Sequence, residues 1–250
     1  MKSNTFKFTL PISILALLIG CISTQAQDSD PLVNVRIVTV KQDHVGDWIE
    51  LQRERVEALK KSGGRGRSVS QVNKGNHNTF HIVTFFKDWA DYSAPSDPPM
   101  GEAANANWLN KIQDTIQSRR EFMVRGYADL SLPPKAGMEV KYVTVRETIT
   151  KQGHANAHLA WTREELQPAM VKSGAHGRSI SRIVMGGNLN TFYTVRSLES
   201  MDDLDEPGFL NALSSEERGK VFTNESRERI LETSLILLSI REDLSFSNED

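Results

Sequence analysis

The sequence predicts an α+β protein made of two tandem βαββαβ units packed sheet against sheet. Three observations carry this expectation: an internal repeat, the order of hydrophobic periodicities within each copy, and a Pro/Gly-rich join between the copies. Lys61-Ser62-Gly63-Gly64-Arg65-Gly66-Arg67-Ser68-Val69-Ser70 returns as Lys172-Ser173-Gly174-Ala175-His176-Gly177-Arg178-Ser179-Ile180-Ser181. Asn78-Thr79-Phe80 returns as Asn190-Thr191-Phe192, Val35 to Lys41 as Val140 to Arg146, and Asp129-Leu130-Ser131 as Asp243-Leu244-Ser245. Matches kept in one order along the chain mark a tandem duplication of a unit of roughly 100 residues. The copies span residues 33–132 and 138–246, and Pro133-Pro134-Lys135-Ala136-Gly137 (133–137) reads as the linker.

Within the first copy, Val33 to Lys41 is rich in β-branched residues, as a strand prefers. Asp43 is placed to cap a helix whose apolar residues Val45, Trp48, Ile49, Val56 and Leu59 keep helical spacing. Lys60 and Lys61 suit the negative end of that helix, and Gly63-Gly64 suits a left-handed stop. Ser68 to Val72 and Thr79 to Phe86 then read as a hairpin around Lys74-Gly75-Asn76-His77-Asn78. Trp108, Ile112 and Ile116 mark a second helix, and Phe122 to Leu132 a final strand. In the second copy Thr162-Arg163-Glu164-Glu165 reads as a capping box, and Pro168 would kink a helix running through it.

The 250 residues are 38% hydrophobic and 25% charged, with 30 basic against 32 acidic side chains, enough for an ordinary globular core. A net charge of −2 argues against a nucleic-acid partner, because no basic excess is available to neutralise phosphates. One cysteine excludes an internal disulfide framework and a Cys-only zinc site. Lys2 and Lys7 precede an apolar run from Phe8 through Ile19, which reads as an export signal. Thr24-Gln25-Ala26 would suit signal peptidase, making residues 1–26 the signal. Leu18-Ile19-Gly20-Cys21 resembles a lipobox, making the signal end at residue 20 and Cys21 the lipidated N-terminus. The expected address is outside the bacterial cytoplasm, periplasmic or lipid-anchored. The membrane is expected as a partner only through that anchor.

The βαββαβ order is the ferredoxin-like plan. One such sheet buries one face under its helices and leaves the other needing cover. Over residues 35–132 and 138–246, in element order and in the aromatic-then-acidic runs Trp89-Ala90-Asp91-Tyr92 and Met201-Asp202-Asp203-Leu204, the chain resembles the dimeric α/β-barrel superfamily. That superfamily includes antibiotic-biosynthesis-type monooxygenases, EthD-like and NIPSNAP-like proteins. There a homodimer makes the barrel, so the resemblance implies a monomer that is its own pseudo-dimer. Two functions follow as expectations. One is an accessory protein that holds a hydrophobic or anionic small molecule between its sheets. The other, implied by the resemblance alone, is a cofactor-independent monooxygenase- or isomerase-like enzyme.

No dinucleotide fingerprint, P-loop or G-x-S-x-G elbow is present, and no cofactor is expected. Heme-degrading relatives use a histidine from the second helix, and neither 102–120 nor 214–233 contains one. His154 and His158 have the spacing of a metal pair on a helix, yet no third ligand lies nearby in sequence and the first copy has no counterpart, so no metal site is assigned. His81 and Tyr193 hold the same position on the third strand of each copy and are candidate ligand-facing groups. Arg67 and Arg178, in the repeated run, are candidate bidentate anion ligands, although the same glycines also serve a helix stop and a turn.

Overall fold

The expected hairpins, glycine stops and strand order are all found in the protein, as seen in a computed structural model whose described residues are 30–95, 98–205 and 208–247. The export segment, Cys21 and both processing points lie outside those residues. The first copy contributes β1 (Leu32–Val40), α1 (Val45–Lys61), β2 (Ser68–Val72), β3 (Thr79–Phe86), short α2 (Trp89–Ser93), α3 (Glu102–Thr115) and β4 (Ile116–Gly126). The second contributes β5 (Tyr142–Thr150), α4 (Ala155–Trp161), α5 (Gln167–Lys172), β6 (Arg178–Met185), β7 (Thr191–Leu198), α6 (Ser215–Val221), α7 (Asn224–Glu228) and β8 (Ile230–Ile240). All adjacent strands are antiparallel, in the closed order β1-β3-β2-β8-β5-β7-β6-β4.

Each copy is a four-stranded ferredoxin-like sheet, β4-β1-β3-β2 or β8-β5-β7-β6, and two short seams join them. At one seam Ser70, Gln71 and Val72 of β2 face Ile240, Ser239 and Leu238 of β8. At the other, Met123 to Gly126 of β4 runs against Met185 to Ser181 of β6. The sheets therefore close edge to edge into a single barrel. No helix among the described residues is long and apolar enough to cross a membrane.

Strand alternation divides the apolar residues between two layers. In the first copy Val38, Val40, Val69, Phe80 and Ile82 turn outward and pack under α1 and α3 against Trp48, Leu51, Trp108 and Ile112. Trp48 stacks on Phe80 at 4.2 Å between centroids, and the Trp108 indole N–H donates to the Leu51 carbonyl at 2.7 Å. Leu166, Ala169, Met170, Leu213 and Val221 form the matching helix-side core of the second copy. The repeated Asp-Leu-Ser triplets become short 3-10 turns whose leucines, Leu130 and Leu244, are fully buried.

Several local expectations need correction. Asp43 lies in a 3-10 turn ahead of α1 and does not cap it. Thr162 is not an N-cap but sits inside a continuous helical path, its hydroxyl donating to the His158 carbonyl at 2.8 Å. There the Gln167 N–H donates five residues back to Thr162, a π turn that carries the helix past Pro168 without the break expected of proline. The last strand of the first copy begins at Ile116, not Phe122, and ends at Gly126. Its first half was illegible because Gln117, Ser118, Arg119 and Arg120 stand exposed beyond the seam, so no alternating apolar pattern forms. The match of Val35–Lys41 to Val140–Arg146 is also out of register: Ile37 pairs with His81 as Glu147 pairs with Tyr193.

The helix-side core makes one quantitative expectation. Trp48→Ala removes the largest fully buried side chain and its stacking on Phe80, and should cost about 3–5 kcal/mol. Urea unfolding followed by far-UV circular dichroism and tryptophan fluorescence checks the value. Both probes should move in one transition, since the seams couple the copies.

Candidate functional site

The inward residues of all eight strands enclose a cavity of ≈ 250 Å³. Small β-branched side chains make most of its wall: Val33, Val35 and Ile37 from β1, Val83 from β3, Val143 and Val145 from β5, and Val195 from β7. The repeated Ser-x-Ser pairs contribute the hydroxyls, Ser68 and Ser70 on β2 and Ser179 and Ser181 on β6. They are inward because β2 and β6 alternate, as Val69, buried in the helix-side core between Ser68 and Ser70, shows for β2. An apolar chamber with a few placed polar groups is the ordinary makeup of a small-molecule site.

His81 and Tyr193 both line this chamber. His81 stands between Ser70 on β2 and Ile37 on β1 in the ladder, and its ring makes no side-chain hydrogen bond with any described residue. Burial lowers its pKa to about 4, so the ring is neutral at pH 7. The Tyr193 hydroxyl donates to Glu147 Oε1 at 3.0 Å, and its ring stacks on Phe122 at 5.4 Å. Burial, with the Glu147 charge beside it, pushes the phenol pKa up and keeps the hydroxyl a donor.

Arg120 completes this corner from the other copy. Its Nη2 lies 3.8 Å from the same Glu147 oxygen, and its guanidinium lies over the Phe122 ring at 4.8 Å. The β6–β7 hairpin presses close here. A Cβ on Gly186 (φ +80°) would stand 2.8 Å from the Glu121 carbonyl oxygen, so only glycine lets the hairpin approach β4. The counterparts of Glu147 and Arg120 in the ladders are Ile37 and Ser234, which leaves one charged corner rather than two.

Arg67 and Arg178 are not among the cavity-lining residues. Arg67 is buried toward the helices, donating from Nε to Leu244 O and from Nη2 to Gln52 O, both at 3.2 Å, and so ties β2 to α1 and the C-terminal turn. Arg178 contacts the Met170 sulfur of α5 through Nη1, while its backbone bridges to Leu132. Burial lowers the pKa of both to about 10, leaving them charged at neutral pH. The repeated glycines serve the helix stops: Gly63 (φ +64°) follows α1 and Gly174 (φ +73°) follows α5.

His158 takes the place in its copy that Trp48 takes in the first, packed 4.8 Å from Phe192 and 5.4 Å from Trp161. His154 is exposed, and no group of three metal-ligand side chains occurs among the described residues. Helices α3, α6 and α7 carry no histidine that could serve a heme iron. Sequence reasoning missed Ser70, Ser181, Arg120 and Glu147. The doubled Ser-x-Ser was a usable signal, as was a glutamate inside the β-branched run Tyr142 to Thr150.

Two outcomes follow from this geometry. His81 and His158 both have pKa values lowered to about 4 by burial. The unfolded chain therefore takes up protons below pH 6.5 that the folded chain refuses. Stability should be full above pH 6.5 and fall as pH drops toward 4, by about 3 kcal/mol per histidine at the low end. Urea midpoints at pH 7.5 and pH 5, with His81→Phe and His158→Phe flattening the difference, check this. Arg67→Lys should lower the melting temperature, because a single ammonium cannot reach both carbonyls, and should leave ligand affinity unchanged.

No family model and no curated protein matches the sequence. Solved structures do match. A monooxygenase-like protein from Lactobacillus acidophilus superposes with TM-score 0.57 at 9% identity, over 88% of this chain and 96% of that one. An anthrone oxidase-like protein gives 0.57 at 11% identity, over 87% and 94%. Chlorite dismutase from Candidatus Nitrospira defluvii, in complex with imidazole, gives 0.54 at 11% identity, over 87% and 94%. Full-length superposition at such low identity concerns architecture: the chain has the fold of the dimeric α/β-barrel, ferredoxin-like proteins, with both halves of the barrel on one polypeptide.

Proposed function

We propose that the protein holds a small, mostly apolar organic molecule inside its barrel, oriented by hydrogen bonds from His81 and from the Arg120–Glu147–Tyr193 corner. The observation that carries this reading is the ≈ 250 Å³ chamber itself, walled by valines and crossed by hydroxyls and a neutral imidazole. The ring of His81 has no protein partner among the described residues, so a ligand hydroxyl or carbonyl can take that place without displacing an existing bond. At the other group, Arg120 favours a ligand oxygen that carries partial or full negative charge, and the Tyr193 oxygen, its proton given to Glu147, accepts from a ligand hydroxyl. The barrel is complete within one chain, so binding needs no second copy.

A second reading is supported by the Arg120–Glu147–Tyr193 corner and by the fold shared with monooxygenase-like and anthrone oxidase-like proteins. In that reading the protein is a cofactor-independent enzyme. Neutral His81, or Glu147, accepts a proton from an acidic hydroxyl of the bound molecule, and Arg120 meets the resulting anion. Both readings place the molecule in the same chamber and differ in whether it leaves changed.

The proposed address is outside the bacterial cytoplasm. Mass spectrometry of the protein from its host should find Gln27 or a lipidated Cys21 at the N-terminus, and an intact Met1 would defeat both.

Calorimetric titration with 1-naphthol and 2-naphthoate as probes tests the chamber. Val83→Trp should fill it and abolish binding without unfolding the barrel. His81→Phe and Tyr193→Phe should each weaken binding about tenfold, the effect of losing one hydrogen bond of about 1.4 kcal/mol. Binding that survives Val83→Trp overturns the proposal. Oxygen consumption or product formation with the probe that binds, lost in Glu147→Gln at unchanged affinity, favours the enzyme.

A further inference from the structure

The ladder of β8 is complete on one side and largely open on the other. Against β5 it pairs along its whole length, from Ile230 opposite Thr150 to Ser239 opposite Tyr142. Against β2 it pairs only at Leu238, Ser239 and Ile240, with one further bond from Asn73 N–H to the Leu237 carbonyl. That bond fixes which way the backbone faces. Leu237 points its polar groups to the β2 side, while the Ile240 N–H points to β5, where it donates to Lys141. By alternation Thr233 and Leu235 turn their N–H and C=O groups to the open side, and a β-bulge at Leu231, where the register against β5 shifts by one residue, ends the regular run. No described residue bonds to them there.

The side chains of this edge are apolar and exposed. Leu231 is 67% exposed and Leu235 59%, with Leu235 on the same strand face as Thr233. Of the devices that blunt natural edge strands, Lys, Arg and Pro are absent between Ile230 and Ile240, and Glu232 with the bulge beside it guards one end alone. The matching free edge of β4 shows the contrast, since it carries Arg119 and Arg120.

We propose that the open edge of β8 is a self-association surface, pairing antiparallel with the same edge of a second copy about a two-fold axis at Thr233. The sequence is self-complementary in that register. Thr233 meets Thr233, and Leu235 of each copy meets Leu231 at the bulge of the other, so the Thr233 donor and acceptor of each edge are satisfied across the axis. Glu232, the single charge on the edge, falls opposite Ser234 rather than against its own copy. An isologous contact of this kind closes at two chains and leaves no edge for a third. A strand edge with two leucines a side is smaller than a standard interface, so the dimer is a weak one.

Sedimentation velocity of the protein as purified, from roughly 1 to 200 µM, should show the mass rising from one chain toward two. Thr233→Pro removes one edge donor without touching the β5 ladder, because the Thr233 N–H points to the open side. Leu231→Lys with Leu235→Lys places like charges across the proposed contact. Both should remain monomeric at the highest concentration, with melting temperature and probe binding in the barrel as in the parent. Should the proline variant fail to fold, the lysine pair decides alone. A parent that stays monomeric throughout, as it would if its own N-terminal segment covered the edge, overturns the proposal. So does a dimer that persists in the lysine variant.

Discussion

Everything distinctive about this molecule depends on two seams of backbone hydrogen bonds, β2 against β8 and β4 against β6. A ferredoxin-like sheet buries one face under its helices and leaves the other apolar and bare. Facing two bare sheets would cover them, but it would also leave four strand edges open. Joining edges instead curls both sheets into one barrel and satisfies much of that backbone. The seams are short, three and four residue pairs, because the long strands β4 and β8 continue past their partners. That same overhang places Arg120 beyond the β6 seam and leaves the edge of β8 unpaired.

Closure also creates the cavity. The helix-side layer is filled by large side chains, Trp48, Phe80, Trp108 and Met170 among them. The interior is faced with valine and serine, whose side chains are too short to meet across an eight-stranded barrel. Volume and polarity inside are thus set by the same choice of small residues. The price of that choice is lost packing, offset by the strong helix-side cores on either flank.

Duplication supplied the frame and divergence supplied the chemistry. Where the two copies agree, they agree on backbone needs: the glycine stops Gly63 and Gly174, the buried Arg67 and Arg178, and the buried leucines of the Asp-Leu-Ser turns. Inside the chamber they differ. Ile37 stands opposite His81 in one ladder, while Glu147 stands opposite Tyr193 in the other. Arg120 of the first copy meets Glu147 of the second. The charged corner therefore belongs to neither copy alone, and it breaks the two-fold symmetry of the chamber.

The amino-acid sequence by itself determined the duplicated unit, its βαββαβ order and both hairpins, because those follow from local periodicity and from Gly, Asn and Ser at turns. It also singled out His81 and Tyr193, since matched positions on matched strands are visible in a repeat. Which face of each strand looks inward was decided only by the tertiary structure. A strand alternates with period two, so a slip of one residue exchanges cavity for core. That is why the repeated run drew attention to Arg67 and Arg178, whose side chains turn to the helices, and away from Ser70 and Ser181, which turn to the cavity. Arg120 and Glu147 were beyond reach for a second reason. They lie on strands of different copies, and no local pattern records that closing the barrel brings a guanidinium and a carboxylate within 3.8 Å.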